Sequence, residues 1–251
     1  MINILIPMAG KSQYFPESEF PFPKPLIEIG SQTIIERVIE NLGTAGESIT
    51  FIFVISSEDC RKFHLDSTLQ IITHGRAHLV RLDNETQGSV CSALMAIDFI
   101  SSDTPLLIAN GDQIFDKPIS EMIDSFSTAD AGVVTFDSVH PRWSYIRVDE
   151  QDKVVETAEK RPLSRHAIAG LYYFRCGNEF VHAAMQMISK GESIHGNYFI
   201  APTLNQMILA GKDIRAYAIE NSLYHTFYTP QKIEEYERYL QHHSKSLGYQ
   251  Q

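Results

Sequence analysis

Short apolar runs recur along the first half of the chain and predict the strands of a buried sheet. They cover residues 2–8, 49–55, 77–82, 105–109 and 131–136. Helix-like segments lie between most of these runs. Strands that alternate with helices favour a mostly parallel sheet covered on both faces.

Two of the helical segments have recognisable starts. Residues 33–36 have the capping-box form Thr-x-x-Glu, and Gly43 is placed to end the helix that follows. Its apolar face consists of Ile34, Ile35, Val38, Ile39 and Leu42. A second helix is expected to open at Gly88, with one side formed by Val90, Ala93, Leu94 and Ile97.

The pattern changes after residue 137. Residues 143–148 and 153–157 predict a hairpin that turns at 150–152, and residues 169–174 predict another strand. Helices are expected at 177–189 and 198–210, with a late strand at 214–219. A final helix should begin with Pro230 at its first position. We expect residues 1–251 to form a single domain.

Composition narrows the class of protein. The 251 residues are 43% hydrophobic and carry a formal charge of −10, which argues against a general nucleic-acid surface. No apolar run approaches the roughly 20 residues of a membrane helix, and the start does not look like a signal peptide. Cys60, Cys91 and Cys176 are far apart and odd in number, which is typical of reduced thiols. We therefore expect a cytoplasmic protein that does not bind membranes.

Candidate chemistry lies at the ends of the predicted strands, where open α/β sheets bind ligands. The first strand ends at Ala9 and Gly10, and Lys24 follows between two prolines that restrict its backbone. Asn110-Gly111-Asp112 comes directly after the strand at 105–109, so Asp112 is a good candidate to bind Mg²⁺. Gln87-Gly88 stands at a helix start, where free N–H groups can face a ligand.

Each of these features also has an ordinary structural explanation. Gly10 could be only a turn, Gly88 an ordinary helix start, and Asp112 a capping residue. Lys24 could be a surface lysine. Their joint placement at the strand ends of one sheet favours a functional site.

The chain resembles the sugar-phosphate nucleotidyltransferases, which make nucleoside-diphosphate sugars. The matching motifs occur in the family's order and span nearly the whole chain. They are residues 6–10 (IPMAG), 22–27 (FPKPLI), 85–88 (ETQG), 110–112 (NGD), 159–160 (EK), 169–174 (AGLYYF) and 229–230 (TP). Residues 143–145 (WSY) and 198–202 (YFIAP) further suggest the branch found with capsule and surface-polysaccharide synthesis.

The resemblance implies a Rossmann-like α/β fold of the glycosyltransferase-A type, with a mixed, mostly parallel central sheet. It also implies transfer of a nucleoside monophosphate from CTP, UTP or dTTP to a phosphorylated sugar or polyol, with release of pyrophosphate. Lys24 and Asp112 would be the catalytic residues, and Asp112 would hold Mg²⁺. The base, the acceptor and any homo-oligomer are left open.

The resemblance also assigns binding residues and two halves to the domain. Residues 1–137 would form the nucleotide-binding half, and residues 138–251 the acceptor-binding half with the C-terminal helix. Nucleotide binding would fall to Met8, Ala9, Gly10, Lys11, Gln87, Gly88 and Gly111. Acceptor binding would fall to Tyr145, Glu159, Lys160 and Gly170.

The family pattern is broken at two places. Its loop Gly-x-Gly-x-Arg reads here with Ser12 for the second glycine and Tyr14 for the arginine that holds phosphate. Near the end, Thr226 stands where many members carry a metal-binding Asp, and Tyr228 replaces a Gly. Two alternatives therefore stay open: a catalytically impaired relative that binds nucleotide or nucleotide-sugar as a regulatory subunit, and a glycosyltransferase of the same fold.

Overall fold

The computed structural model describes residues 1–46 and 48–248. Its strands are β1 (Ile2–Pro7), β2 (Glu28–Ile29), β3 (Gln32–Thr33), β4 (Ile49–Ser56), β5 (Ala77–Leu82), β6 (Leu106–Ala109), β7 (Gln113–Phe115), β8 (Ala131–Asp137), β9 (Ser144–Val148), β10 (Val154–Glu159), β11 (His166–Phe174), β12 (Ile214–Ala218) and β13 (Tyr224–Thr226). Its helices are α1 (Ile34–Leu42), α2 (Ser57–Phe63), α3 (Leu65–Ile72), α4 (Ser89–Leu94), α5 (Ile97–Ile100), α6 (Ile119–Ser125), α7 (Gly177–Ser189), α8 (Ile200–Leu209) and α9 (Pro230–Gly248). Short 3₁₀ turns cover Lys24–Leu26, Gly43–Ala45 and Asn221–Leu223.

The main sheet has nine strands within the described ranges. Seven follow the order β10-β9-β11-β6-β1-β4-β5, while β8 pairs with β11 and β12 pairs with β8. Strands β6, β1, β4 and β5 are parallel neighbours, and β11 runs antiparallel to β6. The prediction of a mixed, mostly parallel α/β sheet is confirmed.

Both faces of the central strands β1, β4 and β6 are buried, which explains why these strands are continuous apolar runs. In β1, Ile4 and Ile6 pack into one hydrophobic cluster, while Leu5 packs into the other. Strand β4 alternates in the same way, with Phe53 on the first face and Val54 on the second. The two clusters hold the strand ends in fixed positions relative to each other.

The predicted local structure agrees with the structure at most places. The capping box forms, since the Glu36 N–H donates to Thr33 Oγ1 at 3.3 Å and the Thr33 N–H donates to Glu36 Oε2 at 2.7 Å. Strands β9 and β10 form the expected antiparallel hairpin. The helix expected from Gly88 is instead broken into α4 and α5, because Met95 and Ala96 make tight hydrogen bonds to carbonyls three residues back.

The carboxyl ends of β1, β4 and β6 lie at one edge of the sheet, since these strands are parallel neighbours. The segment after β1 begins at Met8, and the segment after β6 begins at Asn110. Strand β11 bends beside them, where its pairing with β8 shifts register between Ile168 and Tyr172. This edge therefore brings together segments that are far apart in the chain.

No helix in the described part of the chain is long and apolar enough to cross a membrane.

Candidate active site

An ion pair between Lys24 and Asp112 lies at the centre of the candidate site. Lys24 Nζ is 2.6 Å from Asp112 Oδ2, and the two side chains are 23% and 20% exposed. The other carboxylate oxygen, Oδ1, has no hydrogen-bond partner among the residues that the structure describes. The pair thus combines a charged donor with a carboxylate oxygen that is free to bind a ligand.

Local structure fixes both members of the pair. Pro23 is extended, with φ −63° and ψ 149°, and Lys24 begins the 3₁₀ turn that follows. The next residue, Pro25, is buried and anchors the turn. Asp112 follows β6, and its carbonyl oxygen accepts a hydrogen bond of 2.7 Å from the Phe227 N–H. Both backbones are therefore held, and the side chains meet in one geometry.

A cavity of about 830 Å³ lies on one side of the pair. Its walls are the loop after β1, the start of α2 and the loop after β6. Five of the residues assigned to nucleotide binding line it: Met8, Ala9, Gly10, Lys11 and Gly111. Lys11 is mostly exposed, and its Nζ lies 3.7 Å from both Glu17 and Glu58, so it is a loosely held cation at the cavity mouth.

Aromatic side chains anchor the long loop between β1 and Lys24. Phe15 is 7% exposed and packs edge-on against Phe20, with ring centres 4.9 Å apart. Phe22 contacts Phe63 of α2, with ring centres 5.9 Å apart. Tyr14, which stands where the family has its arginine, is 50% exposed. The loop is therefore ordered by packing, although it contains little regular structure.

A second cavity, of about 270 Å³, lies on the other side of the pair. The two cavities share Pro7, Asn110, Asp112 and Phe199 as lining residues. Glu159 and Gly170, both assigned to acceptor binding, line the smaller cavity. Asp112 thus stands at the junction of two binding spaces, where a group in one can reach a group in the other.

Position 170 requires a glycine because of its backbone conformation and because of two neighbouring side chains. Its φ is +62°, and a Cβ atom there would lie 2.1 Å from Asn110 Nδ2 and 2.7 Å from Gln113 Oε1. The Asn110 N–H also donates to the Gly170 carbonyl at 3.1 Å. The close approach of β11 to the end of β6 is therefore possible because Gly170 has no side chain.

Gln113 is a residue of the site that the sequence analysis missed. It is 3% exposed and lines the smaller cavity. Its Oε1 accepts hydrogen bonds from Tyr224 Oη at 3.0 Å and from Asn110 Nδ2 at 3.3 Å. Its Nε2 is buried without a partner in the described part of the chain. A buried donor of this kind is costly unless a ligand or water accepts from it.

Glu159 brings a partly buried carboxylate to the smaller cavity. Burial raises the pKa of Glu159, and a hydrogen bond from Ser144 partly opposes that rise. The pKa of the neighbouring Tyr172 is also raised by burial, so its hydroxyl stays protonated. Lys160 does not line the smaller cavity; its Nζ lies 4.8 Å from the ring centre of Phe199, which borders both cavities.

The structure does not place Tyr145 in contact with an acceptor. Its side chain is fully buried, and its hydroxyl donates to the His140 carbonyl at 2.7 Å. Its neighbours Trp143 and Ser144 line the smaller cavity instead. Since side chains of a strand alternate between faces, Ser144 facing the cavity puts Tyr145 on the opposite side, where it packs behind the site.

Gln87 and Gly88 line neither cavity. Gly88 has φ +94°, and a Cβ atom there would lie 2.5 Å from the Tyr198 carbonyl oxygen. Tyr198 also donates its N–H to the Gln87 carbonyl at 2.9 Å. The glycine is explained by this close packing of two backbones, whereas the following residue, Ser89, reaches the smaller cavity.

A cluster of Arg142 with three aromatic rings was not anticipated from the sequence. The guanidinium carbon lies 3.3 Å from the ring centre of Tyr228, 5.1 Å from that of Trp143 and 5.8 Å from that of Tyr14. Arg142, Trp143 and Tyr228 line the smaller cavity. Both tyrosines that depart from the family pattern therefore meet at one arginine.

The carboxylates near the end of β7 do not form a metal cluster. Asp116 lines neither cavity and accepts hydrogen bonds from Tyr239 and, at 2.9 Å, from His225. Thr226, at the position of the family's second Asp, does line the smaller cavity. Among the described residues, no group of three His, Cys, Asp or Glu side chains could hold a metal. Asp112 is thus the only carboxylate that borders both cavities in the described ranges.

Comparisons with known proteins agree with this geometry. The chain is 26% identical over 178 residues to the bifunctional protein GlmU of Methanococcus aeolicus, covering 69% of this chain and 40% of that protein. It is 25% identical over 207 residues to the low-salt glycan biosynthesis nucleotidyltransferase Agl11 of Haloferax volcanii, covering 79% of this chain and 55% of that protein. The chain thus spans about half the length, or less, of these curated relatives.

The fold is shared with solved structures. A nucleoside-diphosphate-sugar pyrophosphorylase from Vibrio cholerae RC9 superposes with a TM-score of 0.81 at 22% identity, covering 94% of this chain and 99% of that one. The sequence matches the nucleotidyl transferase family over residues 20–222, which is more than half of the chain. This match shows that the protein belongs to the nucleotidyl transferase family.

Proposed function

We propose that this protein transfers a nucleoside monophosphate from CTP, UTP or dTTP to a sugar phosphate or polyol phosphate and releases pyrophosphate. The observation that carries the proposal is the Lys24–Asp112 pair, 2.6 Å apart, at the junction of two cavities. A transfer reaction needs two substrates to meet, and this junction is where contents of the two cavities can touch.

The chemistry follows from this placement. An oxygen of the acceptor phosphate attacks the α-phosphorus, and the bond from that phosphorus to the bridging oxygen of pyrophosphate breaks. Lys24 stabilises the negative charge that builds on the α-phosphate and the leaving group. Such a step depends on positioning and charge neutralisation more than on covalent help from the protein.

The residues present fit a magnesium ion. Mg²⁺ prefers oxygen ligands and is often bound by one or two carboxylates together with substrate phosphates. Asp112 Oδ1 has no partner in the part of the chain that is described, while Oδ2 accepts from Lys24. When bound there, Mg²⁺ would neutralise phosphate charge, and Asp112 would orient it between the two cavities.

The larger cavity suits the nucleotide. Its volume of about 830 Å³ can accept a drug-sized ligand. Met8, Ala9, Gly10 and Gly111 line it, as do the cationic residues Lys11, Lys24 and Lys62 and the acidic residues Glu17, Glu58, Asp59 and Asp112. We assign the base and ribose to this space, with the triphosphate directed toward Lys24.

The smaller cavity suits the acceptor. Gln113 Nε2 offers a buried donor, and Glu159 offers a partly buried carboxyl group, so hydroxyl groups of a sugar or polyol would find both kinds of partner. Lys160, beside Phe199, is assigned to the acceptor phosphate. The relative Agl11 is named for glycan biosynthesis, which supports a role in surface-polysaccharide synthesis.

The test is a crossed panel of CTP, UTP and dTTP against sugar phosphates and polyol phosphates, with Mg²⁺ and a coupled pyrophosphate assay. We expect one pair to give pyrophosphate release that requires both substrates. Failure of every pair, with a folded protein, would contradict the proposal.

A second candidate is a catalytically impaired relative that binds nucleotide or nucleotide-sugar. It is favoured by Tyr14 and Thr226, which remove a phosphate-binding arginine and a carboxylate. Calorimetric binding of nucleotide without turnover, accompanied by a higher melting temperature, would support this candidate. A glycosyltransferase is less well supported, because Asp116, the second carboxylate such an enzyme would need, is engaged by His225 and Tyr239.

A further inference from the structure

Two departures from the family pattern contact each other in space. Tyr14 lies in the loop after β1, and Tyr228 follows β13, yet their ring centres are 6.2 Å apart in an edge-to-face arrangement. Trp143, which precedes β9, lies 5.9 Å from Tyr228 in the same arrangement. Three segments of the chain therefore contribute one aromatic side chain each to a single cluster.

This cluster holds the guanidinium of Arg142. The guanidinium carbon is 3.3 Å from the ring centre of Tyr228, which is stacking distance, and Trp143 and Tyr14 lie further out. A guanidinium that stacks on rings keeps its N–H groups available at its edge. Arg142 has neither an ion pair nor a side-chain hydrogen bond among the described residues. It is thus an ordered cation whose donors are unused.

The charges around the smaller cavity leave this cation uncompensated. Asp112 is paired with Lys24, and Glu159 accepts a hydrogen bond from Ser144, so neither carboxylate forms an ion pair with Arg142. Gln113 adds a second unused donor to the same cavity. A planar cation with five N–H donors matches phosphate oxygens in a two-point contact.

We propose that Arg142 supplies the guanidinium that binds phosphate oxygens in this site, in place of the arginine that the family has at position 14. The proposal rests on the proposed function and identifies a binding residue for it. Tyr14 and Tyr228 then have a positive role, because their rings orient Arg142. Arginine thus reaches the site from the segment before β9 instead of from the loop after β1.

The phosphate could come from the nucleotide or from the acceptor, and two titrations distinguish these sources. Calorimetry with pyrophosphate and Mg²⁺ reports the polyphosphate site, and calorimetry with inorganic phosphate or glucose 1-phosphate reports the acceptor site. We expect Arg142→Met to lower the affinity for one of these two classes of ligand, polyphosphate or acceptor phosphate, by about tenfold or more and to lower the affinity for the other by less. Arg142→Lys, which keeps the charge without the fork, should fall between wild type and Arg142→Met.

Arg147→Met is the matched control. Arg147 lies on β9, is exposed and pairs with Glu156 at 2.7 Å, away from both cavities. We expect it to bind the same ligands within about twofold of wild type, since surface ion pairs contribute little. Thermal unfolding of each variant shows whether the protein has remained folded.

A rescue experiment separates phosphate binding from a purely structural role. If Arg142 replaces the missing arginine, then Tyr14→Arg in the Arg142→Met background should recover most of the lost affinity. A structural role for Arg142 predicts no recovery, because the cluster would still lack its centre. Tyr228→Leu should weaken binding by about threefold to tenfold, because it removes the nearest ring.

The outcomes distinguish the two proposals. Equal affinity of wild type and folded Arg142→Met for all three ligands overturns the role of Arg142, whether or not the enzyme turns over. Wild-type protein that binds none of the ligands contradicts both proposals. Selective loss in Arg142→Met, recovered by Tyr14→Arg, supports this inference even if the correct acceptor has not been found.

Discussion

Lys24 and Asp112 are 88 residues apart in the sequence, and their charged atoms are 2.6 Å apart in the structure. The pair lies where the larger and the smaller cavity meet. It is partly exposed, so its contribution to stability is small, about 1 kcal/mol or less. Its importance is therefore expected to be chemical.

Replacing Lys24 tests the chemical role. Lys24→Ala should lower kcat by about 100-fold or more, because it removes the cation that we propose stabilises the leaving group. Pyrophosphate release measures the rate, and urea unfolding measures stability. Lys232→Met, in a lysine of α9 that pairs with Glu235 and lines neither cavity, should keep the wild-type rate. A wild-type rate in Lys24→Ala would contradict this role and would show that the active site lies elsewhere.

Asp112→Asn should abolish Mg²⁺-dependent turnover. The amide keeps the shape but loses the negative charge that attracts the ion. Asp116→Asn is a matched comparison, because Asp116 follows β7 nearby but bonds to His225 and Tyr239 instead of lining a cavity. We expect that variant to lose stability and to keep its Mg²⁺ dependence. A magnesium titration of both variants checks the difference, and an Asp112→Asn enzyme that responds normally to Mg²⁺ would contradict the assignment.

Gly170→Ala should disrupt the acceptor side of the site. The new methyl group would lie 2.1 Å from Asn110 Nδ2, so Asn110 and Gln113 must move. Gly191→Ala is a control for the backbone alone, since Gly191 has a similar φ of +69° and nothing within 4 Å of the added atom. We expect both variants to lose about 1 kcal/mol from the positive φ, and only Gly170→Ala to lose more. Urea unfolding gives the two values, and equal losses would refute the close approach.

Gln113→Met should weaken acceptor binding. It removes the buried Nε2 donor that has no partner within the described residues. We expect the KM for the acceptor to rise by about tenfold while the KM for the nucleotide stays within about twofold. Tyr224→Phe, which removes only the hydrogen bond to Gln113 Oε1, should have a smaller effect. An unchanged acceptor KM in Gln113→Met would show that water, and not the acceptor, accepts from this donor.

The raised pKa of Glu159 predicts a specific dependence of stability on pH. The folded state holds the Glu159 proton more tightly than the unfolded state does, so this residue's contribution to stability falls as pH rises above 4.5. Glu159→Gln removes that dependence, and its stability relative to wild type should rise between pH 4 and pH 7. Urea unfolding of both proteins at pH 4 and at pH 7 measures this difference in the free energy of unfolding. Glu150→Gln, at an exposed turn, should track wild type at both values, and the same behaviour in Glu159→Gln would contradict the prediction.

Features set by short-range pattern could be predicted from the sequence. Buried strands such as β1 are apolar runs, the capping box is local, Asp112 follows the end of a recognisable strand, and Lys24 is marked by the prolines on either side of it. Their meeting at 2.6 Å depended on parallel strands whose ends share one edge. The other residues of that site were assigned from the resemblance to the sugar-phosphate nucleotidyltransferases.

The missed features depend on contacts between distant segments. Gly88 fits tightly against Tyr198, and Arg142 is surrounded by rings from three segments, so neither arrangement has a local signal. Tyr145 is different, because the alternation of side chains in β9 could have placed it behind Ser144. The unpaired Nε2 donor of Gln113 can be recognised only from the structure. There, Tyr224 and Asn110 both donate to Gln113 Oε1, and Nε2 has no partner in the described part of the chain.

Transfer of isotopic label from the α-phosphate is the most direct test of the central claim. With the nucleotide and acceptor that turn over in the panel, we expect label from the α-phosphate in the nucleotide-activated product. Label from the β- and γ-phosphates should appear in pyrophosphate, and Lys24→Ala should form both labelled products about 100-fold more slowly or worse. Label released as free nucleoside monophosphate, label retained in a nucleoside diphosphate, or no transfer by wild type under any pairing, would contradict transfer of the nucleoside monophosphate to the acceptor.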